Sequence, residues 1–252
     1  MPKFFITESD ISNNVVELNG ENANHILNVL RLKIGDSIEV CDNNSSSALD
    51  YICKIIDIKD DSVIAEVVEC LESISEPSIK IRLYQGLPKA EKMELIIQKG
   101  VELGVSSIVP ISTERAIVKL TKGEKQDKKI ARWNKISESA SKQSKRSIIP
   151  EVERILTFKD AIQKAVSENT INIIPYELEK DFTLKEFCKD LRDDDNDISI
   201  GVFIGPEGGF TENEINIAIT NSVIPITLGK RILRTETAGF ITTAILLHEL
   251  DN

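Results

Sequence analysis

The chain has 252 residues, of which 41% are hydrophobic and 29% are charged, and its formal net charge at pH 7 is −10. This balance is typical of a globular protein, with enough apolar material for one large domain or two smaller ones. Because the sequence contains no window of 18 apolar residues and no N-terminal signal-peptide pattern, we expect neither a membrane span nor a signal peptide. We therefore predict a cytoplasmic protein.

The cysteines and histidines do not form a metal-binding pattern. Four cysteines without CxxC spacing are present, namely Cys41, Cys53, Cys70 and Cys188, and His25 and His248 stand alone. We interpret the cysteines as buried free thiols in a reducing compartment, and we expect no metal site.

The first region, residues 3–72, is predicted to be mainly β. Short apolar or alternating runs predict strands at Lys3–Ile6, Ser37–Cys41, Leu49–Ile58 and Ser62–Cys70, with one helical segment near Asn22–Leu30. Several short strands in so small a region suggest a small barrel. Because residues 72–78 (ESISEPS) are polar and contain a proline, we place a domain boundary there, between a domain of residues 1–73 and one of residues 74–252.

From Ile79 onward, predicted strands and helices alternate, which indicates an α/β domain with a parallel sheet. The predicted strands are Ile79–Gln85, Ser107–Ile111, Ile171–Pro175, Ile200–Ile204 and Ile224–Leu228. The predicted helices are Lys89–Leu103 with Gly104 as its stop, Asp127–Ser144, a helix capped by Thr157, Leu184–Leu191, one starting at Thr211, and Ala238–Leu250.

The charge is unevenly distributed along the chain. Residues 119–146 are basic, and residues 177–197 are mostly acidic. A charged run is often only a solvated face, and this interpretation suits the acidic segment. For the basic segment, attraction to phosphate remains a second possibility, although the net negative charge argues weakly against nucleic acid.

Two glycine loops mark a candidate site. Gly205-Pro206-Glu207-Gly208-Gly209 follows the predicted strand Ile200–Ile204, and Thr211 to Glu214 then has the form of a capping box. A second loop, residues 229–237, follows the next strand and is rich in Arg, Thr and Glu. In open α/β sheets ligands bind beyond the carboxyl ends of strands, so two such loops favour a binding site over ordinary tight turns.

The first loop does not have the spacing of a phosphate-binding motif. It is neither GxGxxG nor GxxxxGK[ST], and Glu207 would repel a phosphate. Glycines beside an acid suit a neutral or cationic ligand that is held by backbone groups.

Several motifs of the sequence together resemble the RsmE family of bacterial ribosomal RNA methyltransferases, which belongs to the SPOUT superfamily. The motifs are NHILNVLR, EKMELIIQKGVELGV, WNKI, IGPEGGFTENE and LGKRILRTETA. The resemblance covers essentially the whole chain. It departs at Ala90, where the family commonly has glycine, and at Lys142, where an acid often stands.

The resemblance implies a fold, a cofactor and a reaction. The fold is a small PUA-like β-barrel for RNA, followed by a SPOUT-type α/β domain with a deep trefoil knot. The resemblance further implies a homodimer, S-adenosyl-L-methionine (SAM) as methyl donor, and methylation of uridine N3 in small-subunit (16S) ribosomal RNA or the assembled small subunit.

The resemblance also assigns site residues. Those expected to hold SAM are Tyr176, Gly205, Pro206, Glu207, Gly208, Gly209, Leu228, Gly229, Ile232, Leu233 and Thr235. Those expected to contact RNA are His25, Arg31, Lys122, Lys128, Arg132, Lys145 and Arg146. For His25 and Arg31, the residues alone favour a packed helix with solvated polar ends. Trp133 is expected to be a core or dimer-contact residue rather than one that stacks on a base.

Uridine N3 is a poor nucleophile until it loses its proton, so the enzyme must remove that proton or stabilise the resulting anion. Arg234 is our candidate for stabilising the anion, and Glu236 is the candidate base or the residue that orients an arginine. The alternative is a mutual ion pair of the two that fixes the loop. Thr237 is predicted to be the N-cap of the last helix.

Two other functions remain open from the sequence. The chain could be an RNA methyltransferase that acts on a different base or on a ribose 2′-oxygen, or a non-catalytic RNA-binding ribosome factor. The identity of the methylated nucleoside separates the first from the predicted reaction, and failure to bind SAM would favour the second.

Overall fold

The computed structural model describes residues 1–6, 11–42, 48–116, 123–191 and 198–251. The chain divides into two compact units. Unit 1 contains Met1–Glu76 and Ser141–Ile149, and unit 2 contains Pro77–Ala140 and Pro150–Asn252. Within the described ranges, no helix combines the length and the hydropathy that crossing a bilayer requires.

Unit 1 is built on one six-stranded sheet. Its strands are β1 (Lys3–Ile6), β2 (Ile11–Ser12), β3 (Val15–Asn19), β4 (Ser37–Asp42), β5 (Leu49–Ile58) and β6 (Ser62–Glu72). Their order is β1-β4-β5-β6-β3-β2, and β1 runs parallel to β4 while the other neighbours are antiparallel. The four predicted strands are confirmed.

Strands β2 and β3 form a hairpin that sequence reasoning missed. Its turn is Asn13-Asn14, with φ of 49° and 68°. Asparagine tolerates this left-handed backbone, which a two-residue hairpin turn needs. A strand of only two residues, however, carries no alternation to detect.

The helical segment of unit 1 is not a single α-helix. A short α1 (Gly20–Asn24) passes into a π-helical turn (His25–Leu30), which ends at Arg31 with φ of 55°. Ala23 and Ile26 face the core, whereas His25 and Arg31 are exposed. The His25 and Phe4 rings pack nearly perpendicular to each other, with ring centres 5.9 Å apart.

The core of unit 1 consists of the inward-facing residues of its strands, among them Val16, Ile38, Val40, Ile55 and Val63. Cys41 and Cys53 are buried and free, as predicted. Cys70, near the end of strand β6, is exposed, so the expectation of burial was wrong for this thiol. Burial raises the pKa of Cys53 to about 11, which keeps it protonated at neutral pH.

Segment Ser141–Ile149 belongs to unit 1 through buried polar contacts. The Lys3 ammonium donates to Asp50 Oδ1 at 3.1 Å, to the Lys145 carbonyl at 3.1 Å and to Ser147 Oγ at 3.0 Å. The Arg146 guanidinium pairs with the Glu76 carboxylate, and both side chains are almost fully buried. Charged groups are buried at low cost only when paired in this way.

Unit 2 contains a parallel sheet with the order β10-β8-β7-β12-β11-β13, and β9 also pairs with β8. Its strands are β7 (Lys80–Gly86), β8 (Ser107–Ser112), β9 (Glu151–Val152), β10 (Leu156–Thr157), β11 (Ile171–Pro175), β12 (Ser199–Ile204) and β13 (Ile224–Ile226). The five predicted strands are confirmed, although β13 ends two residues earlier than expected. The two-residue strands β9 and β10 were not predicted.

The helices of unit 2 are α2 (Lys92–Leu103), α3 (Glu124–Ser144, whose last residues belong to unit 1), α4 (Phe158–Glu168), α5 (Leu184–Leu191), α6 (Glu212–Thr220) and α7 (Thr235–Leu250). Several predicted ends are confirmed. Gly104 terminates α2 with φ of 114°, Thr157 caps α4, and Thr211 forms a complete capping box with Glu214.

Helix α7 begins three residues before the predicted start. Arg234 is its N-cap residue, and Thr237 lies in its first turn, so the prediction of Thr237 as the N-cap was wrong. No side chain caps this end. The apolar pattern that begins at Ala238 marks where the helix enters the core, not where it starts.

The sheet of unit 2 is buried on both faces, as its apolar runs predict. One core contains Leu83, Ile97, Val202 and Leu246, and the other contains Tyr84, Val109, Phe203 and Ile215. Ile204 pairs with Gln85 on β7, and Pro175 pairs with Ile226 on β13. The carboxyl ends of β7, β12, β11 and β13 therefore share one edge, and the loops that follow them meet there.

Candidate functional site

The loop after β12 is a tight turn at this edge of the sheet. The Gly209 amide donates to the Pro206 carbonyl at 2.9 Å, and Gly209 has φ of 66°, which favours glycine. A Cβ on Gly205 would lie 3.2 Å from Gly209 Cα. The turn therefore closes on itself so tightly that its two ends leave little space for side chains.

The loop also lies against the end of β7. A Cβ on Gly86 would come within 2.6 Å of both the nitrogen and Cδ of Pro206. Sequence reasoning did not single out Gly86, because a glycine at the end of a predicted strand looks like an ordinary stop signal. The structure shows that its missing side chain makes room for the glycine loop.

The loops at this edge enclose a cavity of about 370 Å³. Its lining includes nine of the predicted site residues: Tyr176, Gly205, Pro206, Glu207, Gly209, Ile232, Leu233, Arg234 and Thr235. A second cavity, of about 140 Å³, shares Tyr176, Ile232 and Leu233 with the first and adds the predicted Leu228 and Gly229. The structure thus brings together residues from three separate loops.

Gly208 is the one predicted member of the glycine loop that does not line either cavity. Its carbonyl accepts a hydrogen bond from Arg115 Nη1 at 3.1 Å, and the same nitrogen donates to the Phe210 carbonyl at 3.2 Å. Arg115, which follows β8, therefore holds the loop through two of its carbonyls and lines neither cavity. Sequence reasoning missed it.

A hydrogen-bond chain joins the glycine loop to the start of α7. The Thr235 hydroxyl donates to the Gly205 carbonyl, and it accepts a hydrogen bond from Gln85 Nε2 at 2.9 Å. Gln85 is fully buried and also donates to the Gly86 carbonyl at 2.9 Å. The ends of β7 and β12 and the first residue of α7 are therefore fixed to one another.

Lys92, the first residue of α2, lines the first cavity and lies beside two carboxylates. Glu207 also lines this cavity, whereas Glu236 lines neither cavity. The Lys92 ammonium lies 3.2 Å from Glu207 Oε1 and 3.2 Å from Glu236 Oε2. The contact with the Glu207 carboxylate, followed by the one with Glu236, raises the pKa of Lys92 above its usual value. Burial opposes ionisation of Glu207, but backbone amides, including that of Lys89, and the Lys92 ammonium hold the pKa of Glu207 below its usual range.

The two candidate catalytic residues do not pair with each other. Arg234 is exposed and lines the cavity, whereas Glu236 is half-buried beside Lys92. Among the ion pairs of the described residues, the partner of Glu236 is Lys92, so the alternative of an Arg234–Glu236 pair was wrong. Arg234 is left facing the cavity.

Two of the predicted RNA-contacting residues are engaged in ion pairs. Arg146 is only 4% exposed and pairs with Glu76, so it is a structural residue of unit 1 and the prediction of an RNA contact was wrong. Arg132 is exposed but lies 2.7 Å from Glu94. Trp133 is buried in the core of unit 2, with the Lys129 ammonium 4.8 Å above its ring, which agrees with the predicted core role.

The other predicted RNA-contacting residues are at the surface or outside the described part of the chain. His25, Arg31, Lys128 and Lys145 are exposed. Lys122 lies outside the described residues. Within the described ranges, no group of three or more His, Cys, Asp or Glu residues is placed to hold a metal ion.

Comparison with known proteins gives two family matches. Residues 75–247 match the family model described as RNA methyltransferase domain, and residues 18–68 match the one described as RNA methyltransferase PUA domain.

Curated relatives and solved structures cover nearly the whole chain. The Ribosomal RNA small subunit methyltransferase E of Bacillus subtilis is 32% identical over 93% of this chain and 90% of its own length. The protein of that name from Mesomycoplasma hyopneumoniae is 33% identical over 95% and 96%. The crystal structure of the Neisseria gonorrhoeae protein of that name, bound to S-adenosyl methionine, has 32% identity and a TM-score of 0.80, covering 98% of this chain and 96% of its own.

Proposed function

The chain belongs to the RNA methyltransferase family, and from this premise we propose that it transfers the methyl group of SAM to N3 of a uridine in small-subunit ribosomal RNA. It is an α/β enzyme with an N-terminal PUA-like domain and a methyltransferase domain built on a parallel sheet. Residues 1–73 are the proposed RNA-binding domain, and residues 74–252 are the proposed methyltransferase domain.

The cavity at the carboxyl edge of the sheet is the observation that carries this proposal. Its volume of about 370 Å³ is within the range of small-molecule sites, about 300–1,000 Å³. Glycine and proline form much of the loop after β12, so backbone groups of this loop contribute to its wall. Glu207 and Glu177 also line it. Carboxylates and backbone carbonyls are suited to a cofactor that carries a sulfonium and an ammonium group, so the residues present fit SAM.

When bound, SAM supplies an activated methyl group, so positioning and removal of the N3 proton are left to the protein. Glu236 accepts the N3 proton of uridine. Arg234, exposed in the cavity, faces the negative charge that then spreads over O2 and O4 of the base. N3 forms its bond to the methyl carbon as the methyl–sulfur bond breaks, and S-adenosylhomocysteine leaves with a neutral sulfur.

RNA binding is assigned to the exposed basic residues. In unit 1 these are His25, Arg31 and Lys145, and in unit 2 they are Lys128 and Arg132. Lysine and arginine at a surface bind phosphates and release counterions, so this part of the affinity falls with added salt. N3 of uridine is buried in a base pair, and the target base must therefore be unpaired or flipped out.

The finer features of the family belong to the same proposal. We assign this chain a deep trefoil knot formed by the loops around the cavity, a homodimeric state, action without a metal ion, and a cytoplasmic location. Dimerisation is supported by apolar side chains exposed on the packed helices α2 and α7, namely Leu95, Ile241 and Ile245. Helix α7 is apolar on nearly every side, which is typical of a helix covered all round.

The test is methylation of unmodified small ribosomal subunits by the purified protein with labelled SAM, followed by mass spectrometry of the nucleosides. N3-methyluridine is the expected product. A different methylated nucleoside would show that the protein is an RNA methyltransferase but that N3 of uridine is not its target atom. No incorporation, on subunits and on naked RNA, would favour the non-catalytic binding factor.

A further inference from the structure

Lys92 connects two segments that both contribute to the proposed site. Glu207 belongs to the glycine loop after β12, and Glu236 belongs to the first turn of α7. Both carboxylates lie 3.2 Å from the same ammonium nitrogen, although α2, which carries Lys92, follows a different strand. A single side chain thus joins three chain segments at one edge of the sheet.

The contacts around Lys92 show which partner depends on it more. Glu207 has further donors, since the Lys89 amide lies 3.2 Å from its Oε1 and 3.3 Å from its Oε2. Glu236 is more buried, and its Oε2 atom, which is shielded from solvent, has the Lys92 ammonium as its neighbouring cation. Loss of Lys92 would therefore leave Glu236 as a shielded carboxylate facing the like charge of Glu207.

Lys92 itself is not suited to be the base. Because Glu207 and Glu236 raise the pKa of Lys92, its ammonium stays protonated at every pH below the ordinary lysine pKa. On the alkaline side, the ammonium charge is lost as the pH rises through the raised pKa of Lys92 in the folded protein. At neutral pH Lys92 is thus a fixed positive charge beside the proposed proton acceptor.

We propose that Lys92 is a positioning residue of the methyl-transfer site, which holds the Glu236 carboxylate in place and links it to the glycine loop that binds the cofactor. This inference rests on the proposed function. Its physical basis is that the contact with the Lys92 ammonium orients the Glu236 carboxylate before the uridine arrives. Without that cation, repulsion between Glu207 and Glu236 favours protonation of one of them.

The consequence is a specific pattern of kinetic change. Lys92→Met should lower kcat by ~10-fold or more, since a misplaced or protonated base weakens proton removal. The KM for the ribosomal subunit should change little, because Lys92 is not among the proposed RNA contacts. The acid limb of the kcat profile should move to higher pH. The other charged groups that line this cavity, Arg234 and Glu177, are unchanged in the variant.

The experiment compares three single variants on folded protein, checked by circular dichroism. Lys92→Arg keeps the charge and should retain most of the activity. Lys99→Met removes a lysine from the same helix whose partner is Glu102 at the surface, and it should behave as wild type. The double variant of Lys92→Met with Glu236→Gln should be no slower than Glu236→Gln alone if Lys92 acts through Glu236.

Wild-type kcat and pH profile in Lys92→Met would overturn the inference, as would equal defects in Lys92→Met and Lys92→Arg or additive losses in the double variant. Hydrogen exchange of the amides in the glycine loop and in the first turn of α7 measures the link without turnover. It should be faster in Lys92→Met and unchanged in Lys99→Met, and unchanged exchange in both would also reject the inference. Absence of methyl transfer by the wild-type protein would instead refute the proposed function. Hydrogen exchange would then still show whether Lys92 holds the glycine loop and the first turn of α7 together.

Discussion

At the residue scale, Arg234 is the clearest candidate for direct action on the substrate. Its backbone forms the N-cap of α7, and its side chain is exposed in the cavity. Arg234→Ala should reduce turnover by about 100-fold or more, the size of effect seen when one preorganised group that stabilises an anion is lost. Affinity for SAM, measured by calorimetry, should stay near the wild-type value.

Arg154→Ala provides the matched control, because Arg154 is an exposed arginine of the same unit that lines neither cavity. It should turn over as wild type. Normal turnover of the Arg234 variant would remove this residue from the mechanism, and a parallel loss of SAM binding would make it a cofactor-binding residue.

Ala90 departs from the family pattern at a position where the backbone is left-handed. The resemblance expects glycine at this position, and the structure gives Ala90 a φ of 53°, a left-handed conformation that costs a residue with a Cβ about 1–2 kcal/mol. Because glycine loses more chain entropy on folding, Ala90→Gly should stabilise the protein by only about 0.5–1 kcal/mol. Urea unfolding measures the change.

The control for Ala90→Gly is Ala131→Gly, on an exposed position of the right-handed helix α3. There glycine should lower the free energy of unfolding by about 1 kcal/mol. If both substitutions destabilise equally, the left-handed conformation of Ala90 is not present in solution.

The site residues that could be predicted from the sequence are those whose residue type and immediate neighbours already indicate a function. The glycines of the loop after β12, and Arg234 within an Arg-Thr-Glu-Thr run, are visible locally. Lys92 and Arg115 were missed because each is an ordinary basic residue until the fold brings it to its partner. Arg115 is 93 residues from Gly208, and no local pattern reports such a contact.

At the element scale, the site depends on how the end of β7 lies against the glycine loop. Gly86→Ala would place a methyl group 2.6 Å from backbone and ring atoms of Pro206, neither of which can move freely. We expect a loss of about 1–3 kcal/mol in the free energy of unfolding, together with weaker SAM binding. Urea unfolding and calorimetry measure the two effects.

Gly100→Ala is the comparison, because a Cβ at this buried position of α2 would meet its neighbours at ordinary distances of 3.5 Å or more. Alanine is the better helix former, so this variant should be neutral or more stable by up to about 1 kcal/mol. Equal effects of the two substitutions would mean that Gly86 and Pro206 are not in close contact.

Elements were predictable where their signals are local and strong. The capping box at Thr211 and the glycine stop at Gly104 were predicted correctly because each is a short-range hydrogen-bond or backbone effect. The start of α7 was not, since its first turn is polar and is fixed by the bond of Thr235 to Gly205. The π-helical turn at His25–Leu30 was also missed, because its sequence has the same apolar spacing as an α-helix.

At the scale of the whole molecule, unit 1 is completed by a segment from far along the chain. Arg146 and Glu76 are 4% and 11% exposed at their side chains, so removing one charge leaves the other buried without its partner. Arg146→Ala should therefore cost about 3–5 kcal/mol in unfolding free energy. In urea unfolding, the transition of unit 1 should shift markedly.

Lys128→Ala separates stability from RNA binding, because Lys128 is exposed and lies in the same basic segment of the sequence. It should change the free energy of unfolding by less than about 0.5 kcal/mol. It should also reduce the slope of log K for RNA binding against log salt concentration by about 1, the effect of losing one phosphate contact. A stable Arg146→Ala variant with weakened RNA binding would restore Arg146 as an RNA contact.

The discontinuity of unit 1 also affects the order of events during synthesis of the chain. Glu76 leaves the peptidyl transferase centre 70 residues before Arg146, an interval of roughly 4–14 s at ~5–20 residues per second. Until Arg146 has been added, Glu76 lacks the guanidinium that it pairs with, and until Ser147 has been added, Lys3 lacks one or both of its acceptors in this segment. Unit 1, although most of it is synthesised first, can therefore complete its folding only after part of unit 2 has been synthesised. In a nascent chain that is arrested within this interval, unit 1 would be incomplete.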